Sequence, residues 1–519
     1  MGDRIRRLAG MLEKAALCLG AALFAGLALC GLFVTAHLGR QSWSHEAIVF
    51  SQDGVLANLL WIVLLTAAVL AMHRALERFA GVKLGAGLLG AWCLMTMTLV
   101  IGANVAQMYD FAYVTEGAEL FARGNYKPLE IDYFNVYSYQ LGVCLPMEMV
   151  KRVLPGLNLS LFMQALNVFL SAGIAGTLCA LSQVLFGGRE ARAALVLCVL
   201  FMPMALQCIF VYGTLPMLLM TALAMLCFAL YLQKRKARFG LGYALCIAAA
   251  YMLKPNAAVP LIALAICAVL DVMRSRDWKL LGFAAGSAAL AWALLHAVIA
   301  QYELRAGVTL TGDVSMLARL VMGLQRGGAE AGWFNRYTER FFPFDVTAQQ
   351  EYAIASADLA ARLGEMQADP GMALAFFRDK LLSQWLEPSH GALWYGDLCA
   401  HSGALGEWTK EIFRDGGAIR AVLEGYMAVY QKLLLLLCAA GLISLIRDRR
   451  AAGAALAPVL CAVGGCLYHM IFEAKSQYLY MYFVLMMPLA AHGLCALGLD
   501  PLSRLIRRKL SLLTKRNKD

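Results

Sequence analysis

Acidic and aromatic residues crowd a short segment that follows a long apolar run. Asp110, Glu116 and Glu119 lie within ten residues of one another, and Tyr109 and Phe111 flank the first of them. Carboxylates this close can raise one another's proton affinity, which suits a general base. The same acids could hold a metal ion, but without a histidine at ligand spacing that signal is weak. A solvated surface acid is the more common role of an aspartate just past a helix end.

A lysine interrupts a second apolar run, "AAAYMLKPNAAVPLIALAI" at 248–266. A charge in such a run costs roughly 2.5–3.5 kcal/mol on insertion, so its presence suggests a role. Lys254 falls about 14 residues into the run, or roughly 21 Å, which approaches the outer headgroup level. Pro255 removes a backbone donor and predicts a helix break. A broken hairpin with this lysine at its tip could hold a lipid phosphate; a snorkelling lysine beside a re-entrant turn is the alternative.

A third group of polar residues stands between the last two apolar runs, in "YHMIFEAKSQYLYMYFVLMMPLAAHGL" at 468–494. Glu473, Lys475 and Gln477 are surrounded there by tyrosines. A tyrosine belt is the usual feature of a membrane interface. A lysine among hydrogen-bonding residues at phosphate depth is more than a belt requires, and it predicts contact with an anionic ligand.

Composition identifies the elements that must position these residues. The 519-residue chain is 61% hydrophobic and 15% charged, with a mean hydropathy of +0.65. These values and the apolar runs predict an all-α polytopic membrane protein of about 12 transmembrane helices, with amphipathic helices in two extracytoplasmic loops. The first apolar run is too long for a signal-peptide core and is interpreted as a retained helix. The predicted spans lie near residues 15–37, 54–73, 84–107, 159–186, 193–212, 214–232, 240–253, 256–272, 280–301, 424–446, 453–472 and 479–498.

Lysine and arginine in the short connections orient the predicted helices. Twelve crossings put both termini on one side, together with "QKRKAR" at 233–238, "RSRDWK" at 274–279 and "RDRR" at 447–450. That side is predicted to be cytoplasmic. The net charge of +11 is therefore a topology signal, and nucleic acid is not an expected partner.

The predicted organisation has four parts. Residues 1–301 form a transmembrane region that includes the first large extracytoplasmic loop at 108–158. An extracytoplasmic helical segment at 302–423, C-terminal transmembrane helices at 424–498 and a basic cytoplasmic tail at 499–519 follow. In the first loop, helices are expected to lie along the membrane surface. In the second, "DPGMALAFFRDKLLSQWLEP" predicts a helix that ends before Pro388. Four basic residues of the first loop are expected to face water or headgroups: Arg123, Lys127, Lys151 and Arg152.

Several segments, taken in chain order, resemble one family. They are "GAELFARGNY" and "YFNVYSYQLG" after Asp110, "LKPNAAVPLIALAI", "GWFNRY" with "FFRDKLLSQWLEP", and "EAKSQYLYMYFVLMMPLAAHGL". Each segment alone is a weakly specific motif, but the set, in this order, covers most of the chain. It resembles GT-C membrane glycosyltransferases of the bacterial family-39 type, similar to dolichyl-phosphate-mannose–protein mannosyltransferases. Three features depart from the family. Phe111 replaces a second acid, the Lys475–Gln477 region replaces an arginine, and extra spans precede the loop.

The resemblance implies a protein of the bacterial plasma membrane that transfers a sugar from a polyprenyl-phosphate donor, with inversion, to an acceptor outside the membrane. Asp110 matches the family's loop acid, the general base on the acceptor hydroxyl, and Glu116 joins it as the second predicted catalytic residue. Lys254, Lys475 and Gln477 match positions available for the donor phosphate, where a fixed cation stabilises the departing charge. The predicted substrate-binding residues are Tyr109, Asp132, Glu473 and Tyr478.

Other interpretations stay open at this level. Glu116, Glu130 or Asp132 could be the working carboxylate, and a divalent metal is possible, although no cofactor is required by the pattern. The expected partners are the lipid bilayer, the lipid-linked donor, and a protein, glycolipid or cell-wall polymer as acceptor. A transporter or flippase of lipid-linked sugars would also need many helices and buried charges. Transporters commonly show interrupted helices in both halves, and the sequence gives only one Lys-Pro break. A catalytically inactive, receptor-like relative is a third possibility.

Overall fold

A computed structural model describes residues 2–42, 45–78, 82–130, 132–342, 346–401, 409–448 and 452–498, and the side chains of a few residues beside the gaps are also left undescribed. The described chain is predominantly helical. Its first part comprises α1 (Gly2–Phe33), β1 (Val34–Ser42), β2 (His45–Gln52), α2 (Val55–Arg78), α3 (Val82–Ala103), α4 (Asp110–Ala122), α5 (Asp132–Val136) and α6 (Leu141–Val153). The middle part comprises α7 (Leu159–Leu185), α8 (Gly188–Leu200), α9 (Met202–Leu206), α10 (Thr214–Lys234), α11 (Ala237–Leu253), α12 (Ala258–Ser275) and α13 (Trp278–Ala306). The last part comprises α14 (Met316–Leu324), α15 (Ala348–Ala368), α16 (Pro370–Trp385), α17 (Ala392–His401), α18 (Lys410–Phe413), α19 (Ala418–Arg447), α20 (Leu456–Ile471), α21 (Ser476–Leu485) and α22 (Met487–Gly498).

The helices confirm an all-α polytopic membrane protein. Among the described residues, nine helices are long and apolar enough to cross a membrane, and the number rises to eleven if each of two bent pairs is one span. The bends are 60° between α8 and the α9 region and 54° between α21 and α22. Helix α11 is apolar but shorter. The count of twelve spans therefore stays a prediction.

A β-hairpin follows the first helix, and the sequence did not predict it. The first span was expected to reach residue 37, but α1 ends at Phe33 and the chain continues as β1 paired antiparallel with β2. In its first strand, the stretch "VTAHL" alternates between apolar and polar residues, which is a strand pattern. Lys432 on α19 fixes the base of the hairpin, because its Nζ lies 2.6 Å from Asp53 Oδ2 and 3.0 Å from Thr35 Oγ1.

Ion pairs gather several predicted cytoplasmic connections at one end of the bundle. Arg274, in the last turn of α12, pairs with Glu13 on α1, and the Glu13 carboxylate also accepts a hydrogen bond from Gly453 N at 3.0 Å. Arg235, before α11, pairs with Asp271 at 2.7 Å. The connections near 235, 274 and 453 therefore share an end, as the basic pattern requires. The tail at 499–519 and residues 449–450 of "RDRR" lie outside the described residues.

Short helices pack over the opposite end of the bundle. Helix α16 confirms the predicted helix at "DPGMALAFFRDKLLSQW", and its N-cap is Asp369, whose side chain accepts from Met372 N at 2.9 Å. The expectation that Lys151 faces water or headgroups is wrong. Its side chain is buried, lies 3.3 Å from Glu119 and donates to Leu157 O at 2.6 Å. Packing of α6 on α4 covers this lysine, and Glu119 compensates its charge.

Candidate functional site

Asp110 is the first residue of α4 and remains open to solvent. Tyr109, just before it, has a φ of 50°, a conformation that costs a non-glycine residue energy and often marks functional segments. Met108 is held by Tyr395, whose hydroxyl donates to Met108 O at 2.7 Å. Phe111 packs its ring 4.3 Å from that of Tyr395. The backbone on both sides of Asp110 is therefore fixed by aromatic contacts.

Lys254 lies at the predicted helix break, between the end of α11 and the turn that starts α12. Its side chain is only 6% exposed. The Nζ atom donates to Thr214 Oγ1 at 2.9 Å and sits 4.1 Å from the centre of the Tyr212 ring. A cation over an aromatic face is attracted to it, most strongly where water is excluded. The lysine therefore points into the protein and does not snorkel to solvent.

Tyr212 joins this lysine to the aspartate. Its hydroxyl donates to Asp110 Oδ2 at 3.2 Å and accepts from Gln140 Nε2 at 2.7 Å. The ammonium of Lys254 lies over the face of its ring. The ring also packs 4.8 Å from Phe111. The Tyr212 side chain thus fixes the positions of Asp110, on α4, and Lys254, at the end of α11, relative to each other.

Lys475 enters the same site from the turn between α20 and α21. Its Nζ lies 2.7 Å from Glu46 Oε1 of the hairpin and 5.9 Å from the centre of the Trp394 ring. Glu473, two residues earlier, accepts a 3.4 Å hydrogen bond from the Tyr478 hydroxyl. We call Glu46, Asp110, Lys254, Glu473 and Lys475 the outer charged cluster.

Three of the segments that carry the family resemblance meet at this turn. Lys380 of "FFRDKLLSQWLEP" donates to Phe472 O at 2.7 Å, and Ala474 N donates to Gly332 O of "GWFNRY" at 2.8 Å. Trp333 Nε1 donates to Ser383 Oγ at 2.9 Å and ties the first two segments together. The buried Lys380 thus fixes the backbone that presents Lys475.

Burial and mutual charge shift the proton affinities of the cluster. The Asp110 side chain is accessible, but the protein that surrounds it displaces part of its water and raises its pKa, against the lowering influence of Lys475, Tyr212 and Lys254. Burial also raises the pKa of Glu473 to about 7 and lowers that of Lys254 to about 7. For Lys475 burial lowers the pKa, but Glu46, Glu473 and Asp110 reverse this and raise it. The cluster therefore holds one firmly charged lysine and groups that exchange protons near neutral pH.

The structure brings together only part of the predicted set. Asp110, Lys254, Glu473, Lys475 and Tyr478 converge, and Tyr109 adjoins Asp110. Glu116 lies exposed on α4, and no hydrogen bond or ion pair among the described residues links it to the cluster. Glu119 pairs with Lys151, and Glu130 is exposed. Gln477 is half-buried beside Gly391. Asp132 begins α5, but its side chain lies outside the described residues.

Sequence reasoning missed Glu46, Gln140, Tyr212 and Lys380. The alternation of apolar and polar residues in "VTAHL" of β1 was a strand signal, but no local pattern singled out Glu46 in the strand that follows. Lys380 on a helix with an aromatic face gave a weaker signal. The sequence carried no signal for Tyr212 or Gln140, because a tyrosine at the end of an apolar run and a glutamine in an amphipathic segment are both common. Within the described residues, no group of three or more histidine, cysteine, aspartate or glutamate side chains is arranged to hold a metal ion.

Comparison of the chain with protein-family models and with curated proteins finds no match.

Proposed function

We propose that this protein is a GT-C-type membrane glycosyltransferase that moves a sugar from a polyprenyl-phosphate donor to an extracytoplasmic acceptor, with inversion. The observation that carries the proposal is the convergence of a carboxylate open to solvent with two lysines at the ends of apolar helices. Tyr212 contacts both Asp110 and Lys254, and Lys475 lies close enough to lower the pKa of Asp110. Such an arrangement suits a reaction in which a hydroxyl is deprotonated while a phosphate departs.

The proposed step needs one base and at least one cation. Asp110 accepts the proton of the acceptor hydroxyl as that oxygen attacks the anomeric carbon. The bond from the anomeric carbon to the phosphate oxygen breaks on the opposite face, and the electron pair stays on the phosphate. Lys254 and Lys475 stabilise the negative charge that develops there. A site shielded from bulk water strengthens this attraction, which supports a role for the buried Lys254.

The position of the cluster supports a lipid-linked donor. Lys254 lies between two apolar helices, and Lys475 directly precedes the apolar α21. A phosphate that carries a long isoprenoid chain has its charge at the membrane surface and its chain within the bilayer. The outer short helices then face the side where a protein, glycolipid or cell-wall polymer would approach Asp110.

The test is release of polyprenyl phosphate from polyprenyl-phosphate sugars by membranes at matched expression. Asp110→Asn is expected to reduce turnover by about 10²–10⁴-fold, the range for loss of a general base. Glu365→Gln is the matched control, because it neutralises an exposed acid of α15 that is not part of the outer charged cluster. Loss in Glu116→Gln but not in Asp110→Asn would assign the base to Glu116. Absence of turnover by folded wild-type protein with every donor would reject the enzyme proposal.

One observation favours a transporter of lipid-linked sugars as the second candidate. Lys254 and Lys475 each occupy an extended position just before a helix, at breaks in two different parts of the chain. Interrupted helices in corresponding positions are a feature of transporters. The two proposals differ at Asp110, because its neutralisation should abolish chemistry but leave lipid movement intact. Reconstituted vesicles with a fluorescent lipid-linked sugar would measure that movement.

A further inference from the structure

The hairpin directs an acidic residue toward the protein interior. Residues alternate across a strand, so Glu46, Ile48 and Phe50 share one face of β2. Ile48 pairs across the hairpin with Leu38, and both pack in a small apolar cluster with Trp333 and Ala474. Glu46 therefore lies on the packed face of the hairpin, next to the turn that contains Lys475. A carboxylate in this position is costly unless a cation compensates it.

Lys475 is that cation. Lys254 shows how burial affects a lysine of the same cluster whose hydrogen-bond partner is a neutral hydroxyl. The Glu46–Lys475 pair is 2.7 Å long, with side chains 12% and 23% exposed. Lys254 instead donates to the neutral Thr214 hydroxyl, and burial lowers its pKa to about 7. The groups that act on Lys475 are Glu46, Glu473 and Asp110, and Lys254 is the neighbouring cation. Of the three acids, Glu46 has the strongest effect.

We propose that Glu46 is a positioning residue that holds the Lys475 ammonium, oriented and charged, for the phosphate of the lipid donor. An ammonium has three donors, and the pair to Glu46 uses one of them, so others remain for phosphate oxygens. Glu46 touches neither donor nor acceptor in this role. The inference rests on the proposed function and gives the hairpin a place in the active site.

The hairpin is anchored firmly enough to perform this task. Lys432 bonds Asp53 and Thr35 at its base, and His37 Nδ1 lies 2.9 Å from Glu424 Oε1 on α19. The backbone of Ala36 also donates to Leu386 O at 3.1 Å. These contacts lie on helices and segments apart from the turn at Lys475, so the base of the hairpin is held without that turn.

The experiment measures kcat and KM for a polyprenyl-phosphate sugar in Glu46→Gln, Glu46→Gln/Lys475→Arg and Glu424→Gln membranes. Glu46→Gln is expected to raise KM about tenfold with a smaller change in kcat, because a charge-assisted contact is lost. The defect should deepen as pH rises, since Lys475 loses its proton more readily without Glu46. Lys475→Arg in the same variant should restore KM and remove the pH dependence, because arginine stays charged. Glu424→Gln weakens a hairpin anchor without touching Lys475 and should match wild type.

Several outcomes would overturn the inference. Wild-type kinetics in Glu46→Gln would show that Lys475 needs no partner, and a lower KM would show that Glu46 competes with the phosphate. Equal defects in Glu424→Gln and Glu46→Gln, with no rescue by Lys475→Arg, would indicate a purely structural role for the hairpin. Each of these leaves the proposed transferase intact. Only an inactive wild type would reject both the function and this inference.

Discussion

At the scale of single residues, two lysines share a backbone position and differ in their partners. Lys254 has φ −161° and ψ 117°, and Lys475 has φ −160° and ψ 131°, and each directly precedes a helical turn. The first faces a hydroxyl and an aromatic ring, and the second faces a carboxylate. Equal local geometry therefore yields opposite pKa shifts, because the charge of the nearest neighbour decides which form is favoured.

The lowered pKa of Lys254 predicts a pH dependence. The lysine is charged below about pH 7 and loses its proton as pH rises through that value. Because the proposed role needs the charged form, kcat/KM for the lipid donor should fall across this range. Lys254→Arg should shift this fall in kcat/KM to higher pH, since arginine does not deprotonate in proteins. Lys127→Arg, at an exposed position, is the control and should keep the wild-type profile. An unchanged pH dependence of kcat/KM in Lys254→Arg would contradict the assignment of Lys254 as the group that loses its proton.

At the scale of elements, close helix contacts hold the site. Helix α6, which follows the segment carrying Gln140, passes against the end of α11 at Gly142. A Cβ at this position would lie 1.8 Å from the carbonyl oxygen of Met252, two residues before Lys254. No side chain can be accommodated there unless one of the two backbones shifts. Gly142 therefore allows α6 to approach the helix end that presents the lysine.

Gly142→Ala is expected to destabilise the protein by about 1–3 kcal/mol, the range for overpacking a close contact. Turnover should fall as well, because the shift would displace the end of α11 and with it Lys254. Gly176→Ala is the matched control, since Gly176 lies in α7 with open space where a Cβ would stand. Thermal unfolding in detergent compares the two variants. Equal melting temperatures would show that α6 and α11 separate without cost.

At the scale of the whole molecule, charge is divided between two ends of an apolar bundle. One end holds the basic connections with the Arg274–Glu13 and Arg235–Asp271 pairs. The outer charged cluster lies where α10 and α21 begin. Helices α10 and α11 run antiparallel between these ends, so a bilayer around the bundle would separate the basic connections from the outer charged cluster. The excess of lysine and arginine predicts that the basic side is cytoplasmic.

This orientation can be tested by cysteine labelling in intact cells. Glu116→Cys places a thiol on the exposed face of α4, and Lys236→Cys places one in the connection between α10 and α11. A membrane-impermeant maleimide should label the first variant in intact cells and the second only after permeabilisation. The parent protein gives the background of its own cysteines. The reverse pattern would place the outer charged cluster in the cytoplasm and remove the proposed extracytoplasmic acceptor.

The sequence by itself determined the membrane class, the helix break at Lys254 and the extent of α16. Each of these depends on local chemistry. Long apolar runs have no stable place but a bilayer, Pro255 cannot continue a hydrogen-bonded helix, and Asp369 caps the helix that follows it. The same local patterns singled out Asp110, Lys254 and Lys475 as charged residues whose positions in or beside apolar runs suggest a functional role.

Only the tertiary structure decided which charges share a site. Asp110 meets Lys254 through Tyr212, and Lys475 meets Glu46, across long separations in the chain. The burial of Lys151 escaped prediction for the same reason. Hydropathy shows that a segment is apolar or amphipathic, but a buried charge is compensated by whichever opposite charge helix packing brings to it. That partner is set by the three-dimensional arrangement of the helices, which no local pattern specifies.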